Sequence, residues 1–303
     1  TGATAIAQMD LTLGQVTNIL VTCPGSGYLA GDTLTVNLIG GGFTAPATVS
    51  TVSLGVNAGG GLTKLGGGTL LLTTNNLYTG ATVINAGTLQ FTNSGSLYNA
   101  GTNAGTITIN SGGTLLFSRT NTFCALSSTS AVSIVINQGG LIQNGAFFNT
   151  LNDITLSGGE LRANGGLNAT LQAYHLRGTI TVNGSAPSLI SANTSINGFN
   201  QIQLGTNDFE GYTVFDVADV TGDSTADLVA SASFADGPIP AGTSTTNSGL
   251  IKTGAGTLAL SGVSTYSAGT IVSNGTLSFT AAGSALSCTN IIVETNAQLS
   301  VEG

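Results

Sequence analysis

The chain has 303 residues, enough for one large domain or two small ones, yet only 6% of them are charged, 45 are Gly and Trp is absent. A mean hydropathy of +0.35 excludes a disordered chain, and 13 acids against 5 bases, a net charge of −8, exclude a phosphate-neutralising surface and with it nucleic acid as principal partner. Thr, Val, Ile, Asn and Gly suit pleated strands and tight turns, so the chain is expected to be all-β. No apolar run approaches twenty residues, so no transmembrane helix is expected.

In chain order, residues 1–60 carry their own unit. "VTNILVTCPGSGYLAGDTLTVNLIGGG" resembles the Gly-Ser-Gly-Tyr repeat that precedes some exported passengers, and "GATAIAQMDL" at 2–11 resembles "APATVSTVSL" at 45–54. Short strands follow: "TLTVNLIG" at 33–40, "TLLLT" at 69–73, "ATVINAGTLQFT" at 81–92, "TITINSGGTLLF" at 106–117, "VSIVINQGGLI" at 132–142, "DITLSGGELRA" at 153–163 and "TITVNG" at 179–184. Each alternates apolar residues and closes on Asn-Gly, Gly-Gly or Ser-Gly, which is turn chemistry. Stacked coils place like side chains over like, so ladders of uncharged Thr, Ser and Asn are tolerated where charges are not. The expected fold is a parallel β-helix (β-solenoid), with an antiparallel sandwich or propeller as the alternative. At roughly 20 to 25 residues and ~4.8 Å per coil, the length predicts about a dozen coils and a rod of about 60 Å. The start at Thr1 without Met and the stop at Gly303 in mid-pattern suggest a piece of a longer secreted polypeptide.

Two stretches match without a gap at an offset of 188 residues (252 − 64): "GLTKLGGGTLLLTTNNLYTGATVINAGTLQF" at 61–91 and "GLIKTGAGTLALSGVSTYSAGTIVSNGTLSF" at 249–279. The shared G-L-x-K-x-G-x-G-T-L, the Tyr (Tyr78, Tyr266), the Thr-x-Val/Ile stretch and the closing G-T-L resemble the autotransporter-associated β-strand repeat, or passenger-associated transport repeat. "STYSAGT" departs from the family's "NTYTGGT", and the resemblance spans about a fifth of the chain. It implies a right-handed β-helix in a bacterial surface protein exported across the outer membrane, a repeat associated with secretion, and no catalytic role. The implied location is extracellular, at the bacterial surface. The organisation expected is the first unit at 1–60, a β-helix with the first transport repeat at 61–205, an acidic segment at 206–248, and a β-helix with the second repeat at 249–303.

Little else carries chemistry. Seven of the 13 acids fall between Asp208 and Asp236, and Asp219, Asp223 and Asp227, with Thr221, have the spacing of a calcium loop; the alternative is aspartates capping turns on a solvated edge. No cofactor is expected, and a structural calcium there is the one candidate. His175 is the only His, and with Arg177, Arg162 and Glu160 it is the one cluster from which a polysaccharide lyase or hydrolase could be built; otherwise it lies on a surface-exposed polar strand. Cys23, Cys124 and Cys288 read as small buried hydrophobes, with one long-range disulfide as the alternative. Lys64 and Lys252 are expected at coil corners, stems on apolar surface and heads in water. The function expected is a non-enzymatic structural or adhesive segment, a spacer or fibre unit that associates end to end and meets other surface polymers; the alternatives are the β-helix enzyme and a carbohydrate- or receptor-binding module.

Overall fold

A computed structural model describes residues 4–10, 12, 15–23, 60–76, 78–97, 105–124, 132–193, 197–206, 211–238, 246–280, 283–285 and 287–302. The contacts divide the chain into two compact units, Thr1–Asn57 and Ala58–Gly303. In the first, Thr4–Asp10 pairs antiparallel with Gln15–Cys23, with register shifts at Thr4/Ala5 and Gln8/Met9. The Asp10 carboxylate accepts the Thr12 N–H at 2.8 Å and closes the connection. The expected strand at 33–40, the Gly-Ser-Gly-Tyr stretch and the 45–54 copy lie outside the described residues.

The second unit is a parallel β-helix. Its first wall stacks ten strands: Leu62–Lys64, Thr82–Ile84, Thr106–Ile109, Ser133–Asn137, Ile154–Ser157, Ile180–Val182, Gly211–Val217, Ser248–Thr253, Thr270–Val272 and Ile291–Val293. Its second wall stacks the strand that follows each of these around a corner: Thr69–Leu72, Gly87–Thr92, Gly113–Ser118, Leu141–Asn144, Glu160–Ala163, Ser188–Ala192, Leu228–Ala230, Thr257–Leu260, Gly275–Phe279 and Ala297–Val301. One strand of each wall makes a coil, and the coils are numbered 1 to 10 in chain order. The unit thus has ten coils among the described residues, and at ~4.8 Å each they rise about 45 Å. Coils 4 to 7 add a third wall, Asn149–Leu151, Tyr174–Leu176, Ile202–Leu204 and Phe234–Ala235. The acid-rich stretch belongs to the stack: 211–238 supplies coil 7.

Period-2 alternation explains the walls. In Thr106–Ile109, Ile107 and Ile109 are buried while Thr106 and Thr108 face out; in Gly113–Ser118, Leu115 and Phe117 are buried. Stacking repeats this at every coil, and each fully buried Ile, Leu or Phe contributes on the order of 2 kcal/mol. Phe123 closes part of the core edge-on against Phe91 and Phe117, at 5.9 and 5.2 Å between ring centres. The uncharged ladder is present outside: Asn110 Nδ2 donates to Asn85 Oδ1 and Asn137 Nδ2 to Asn110 Oδ1, both at 2.6 Å. No helix among the described residues is long and apolar enough to cross a membrane.

Candidate functional site

Both repeats build one corner, between the first-wall and second-wall strands of coils 1 and 8. Lys64 Nζ donates to the carbonyls of Leu65, Gly66 and Ala86 at 2.9, 2.6 and 3.0 Å. Lys252 Nζ donates to those of Thr253, Gly254 and Asn274 at 2.7, 2.8 and 3.1 Å. An ammonium has three protons, and here each has a carbonyl. The glycines agree as well: φ is 70° at Gly66 and 76° at Gly254, 68° at Gly87 and 65° at Gly275. At Gly87 an added Cβ would meet the Gly68 and Gly66 carbonyl oxygens at 2.4 and 2.5 Å; at Gly275 it would meet those of Gly254 and Gly256, both at 2.5 Å. Only glycine fits the backbone crossing at that point. Each repeat also pairs its tyrosine with a threonine four residues on, Tyr78 Oη with Thr82 Oγ1 at 2.8 Å and Tyr266 Oη with Thr270 Oγ1 at 2.7 Å.

The lysines correct one expectation. They sit at corners, but their heads are not in water: Lys64 is 7% exposed and Lys252 0%. The alternation in G-L-x-K places Lys on the inner face with the preceding Leu, and that is the signal in the sequence that reveals it. A buried ammonium then needs acceptors, and corner carbonyls are the ones within reach. Burial pushes the Lys252 ammonium down to about 8, against the opposing pull of Asp216 and Asp227.

Asp227 grips the second corner from the other side. It is fully buried; its Oδ1 accepts the Val220 and Thr221 N–H groups at 2.7 and 2.9 Å and the Thr221 hydroxyl at 3.0 Å, and its Oδ2 accepts the Thr257 N–H at 2.7 Å. Asp219 accepts the Gly222 N–H at 2.7 Å, and Asp223 accepts the Thr225 N–H and hydroxyl at 2.7 and 2.6 Å. Those two Thr225 bonds hold the Asp223 carboxyl below the usual range. Asp219 and Asp223 therefore serve N–H groups of their own turns, Asp227 serves its own turn and the next coil through Thr257, and among the described residues no three His, Cys, Asp or Glu side chains gather as a metal-holding group.

The His175 cluster is divided between walls. Arg162 and Glu160 form a two-pronged pair on the outer face of the second wall, at 2.9 and 2.8 Å, with Ser191 Oγ on Glu160. His175 and Arg177 belong to the third-wall strand and the residue after it. His175 was expected on an exposed polar strand, but it is fully buried, because the segment after Ile202–Leu204 covers it: His175 Nε2 pairs with the Gly205 carbonyl at 3.0 Å and Arg177 Nε donates to the Thr206 carbonyl at 3.1 Å. Burial first, and Arg177 second, push the imidazole down to about 3, only partly offset by the Gly205 bond. It is neutral at pH 7 and shielded from any polymer. Cys124 is buried and free, its thiol pushed up to about 11 by burial although Arg177 pulls the other way; Cys288 is half-buried and also free. The Cys23 side chain lies outside the described residues.

A parallel β-helix with two copies of one lysine-closed corner defines the class, a repeat-built solenoid. The passenger-associated transport repeat family matches residues 62–91 and 250–279, the segments that build those corners. The chain thus carries two segments similar to the passenger-associated transport repeat. Neither the curated proteins nor the solved structures compared with the chain gave a match.

Proposed function

We propose that this chain is a non-enzymatic, extracellular structural segment of a bacterial surface protein, a rigid spacer that also joins end to end into fibres. The observation that carries the reading is the recurrence of one closed corner, 188 residues apart (252 − 64), in a stack whose inner slots are filled with aliphatic and aromatic side chains. Such a stack holds length and stiffness by repetition, each coil resting on its neighbours. The burial of His175 and the pairing of Glu160 with Arg162 favour this reading over a polysaccharide-acting enzyme. End-to-end growth rests on the general tendency of stacked strands to pair through a free edge. Negative-stain images of native material are expected to show long thin fibres, and pectin, alginate and chitin are expected to remain intact after long incubation with it. Monodisperse particles at high concentration would remove the fibre. Polymer cleavage that disappears in His175→Ala would remove the non-enzyme.

A further inference from the structure

The two lysines stand in slots that coils 3 to 6 fill with aliphatic side chains. Each first-wall strand there offers two, Ile107 and Ile109 in coil 3, Ile134 and Ile136 in coil 4, all nearly or fully buried. Sliding such a strand by two residues keeps its inner face inside and sets aliphatic on aliphatic, so packing alone separates neighbouring registers weakly. The stack itself contains that offset. The first-wall ladder runs from Leu62 through Thr82, Ile107, Ile134 and Ile154 to Ile180 and Phe215, and arrives at Lys252, not at Leu250, the repeat equivalent of Leu62. The second repeat is therefore two residues out of step with the first along the wall.

A lysine in the inner slot breaks this degeneracy. Two of its three acceptors come from its own corner, and the third comes from the next coil, 22 residues on: Ala86 for Lys64, Asn274 for Lys252. A two-residue slip of the next strand carries that carbonyl about 7 Å away and leaves a buried ammonium one acceptor short. Aliphatic neighbours tolerate the slip; a buried cation does not. We propose that Lys64 and Lys252 are register pins, which set coil 2 on coil 1 and coil 9 on coil 8, and that the buried charge supplies alignment and not stability.

The test uses the full chain with Cys23, Cys124 and Cys288 replaced by Ala. Cysteines are placed on the outer face of coils 8 and 9, either at Ile251 and Ile271, which are opposite each other, or at Ile251 and Ser273, which become opposite after a two-residue slip. The protein is refolded from denaturant and oxidised, and the cross-link is quantified by mass spectrometry. With Lys252 present, the 251–271 link dominates. In Lys252→Met, whose side chain fills the same slot, the 251–273 link rises at least about tenfold while the melting temperature holds or increases. A 251–273 link that does not rise overturns the proposal. So does a Lys252→Met chain that melts much earlier or does not fold, because the lysine would then be a stabilising element. The same comparison at coil 1 uses Thr63 with Val83 or with Asn85, in Lys64→Met.

Discussion

The first and second repeats make the same corner in different surroundings. Among the described residues coil 1 pairs with coil 2 alone, and Lys64 keeps 7% of its surface exposed. Coil 8 lies between coils 7 and 9, Lys252 is fully enclosed, and Asp227 holds the far end of its corner through the Thr257 N–H. Three lysine bonds, two left-handed glycines and one Tyr–Thr bond nevertheless recur in both. The corner therefore comes from the thirty-residue sequence itself, and its neighbours add to it without shaping it.

The largest expected effect lies outside both repeats and separates them from the middle coils. His175 is neutral in the fold down to about pH 3 but takes up a proton near 6.5 when unfolded. The unfolded state then binds more protons, so stability is complete above pH 6.5 and is lost as pH falls towards 3, by on the order of 4 kcal/mol. Urea unfolding across that window should show the loss, and a His175→Gln chain should lack it. Next comes the glycine at the backbone crossing. Gly275→Ala combines a positive φ with a Cβ 2.5 Å from two carbonyl oxygens and should cost about 3 kcal/mol, while Gly87→Ala, where coil 2 crosses coil 1, should cost about 2 because coil 1, paired among the described residues with coil 2 alone, can give way. Equal costs would mean that the neighbours do not matter. Asp227→Ala strips the Val220, Thr221 and Thr257 donors of their acceptor, and about 2 kcal/mol with faster hydrogen exchange at the second corner alone is expected.

Smaller effects sharpen the same contrast. Lys252 releases its proton near pH 8 in the fold and near 10.5 when unfolded, so the unfolded state binds more protons between those values. Stability should rise from pH 8 to 10.5, and the rise should vanish in Lys252→Met. Tyr266→Phe and Tyr78→Phe each remove one hydroxyl bond worth about 1 kcal/mol, and the fully buried Tyr266 should cost more to change than the half-buried Tyr78. Thermal melts that order the two the other way would weaken the view that the second repeat is the more enclosed.

The walls were legible in the sequence because strands such as "TITI" and "SIVIN" announce period 2, and the repeats because thirty positions keep one register. The lysines were half-legible. Their corner position followed from the flanking glycines, but the surface habit of Lys outweighed the alternation that placed them inside. His175 was not legible, since its cover comes from about thirty residues further along, at Gly205 and Thr206. The aspartates illustrate a different limit: a spacing of four suits a calcium loop and a series of turn caps equally, and only the N–H groups facing each carboxylate reveal what it holds in the fold.

Lys64 and Lys252 are the only lysines in the chain, which makes the corner directly observable. A chain labelled with ¹⁵N at lysine Nζ, studied by NMR below pH 8, should give two ammonium signals that exchange slowly with water and correlate with corner carbonyls. Lys64→Met and Lys252→Met should each remove one. A fast-exchanging, water-like signal from either lysine would contradict the claim that both repeats close the same corner.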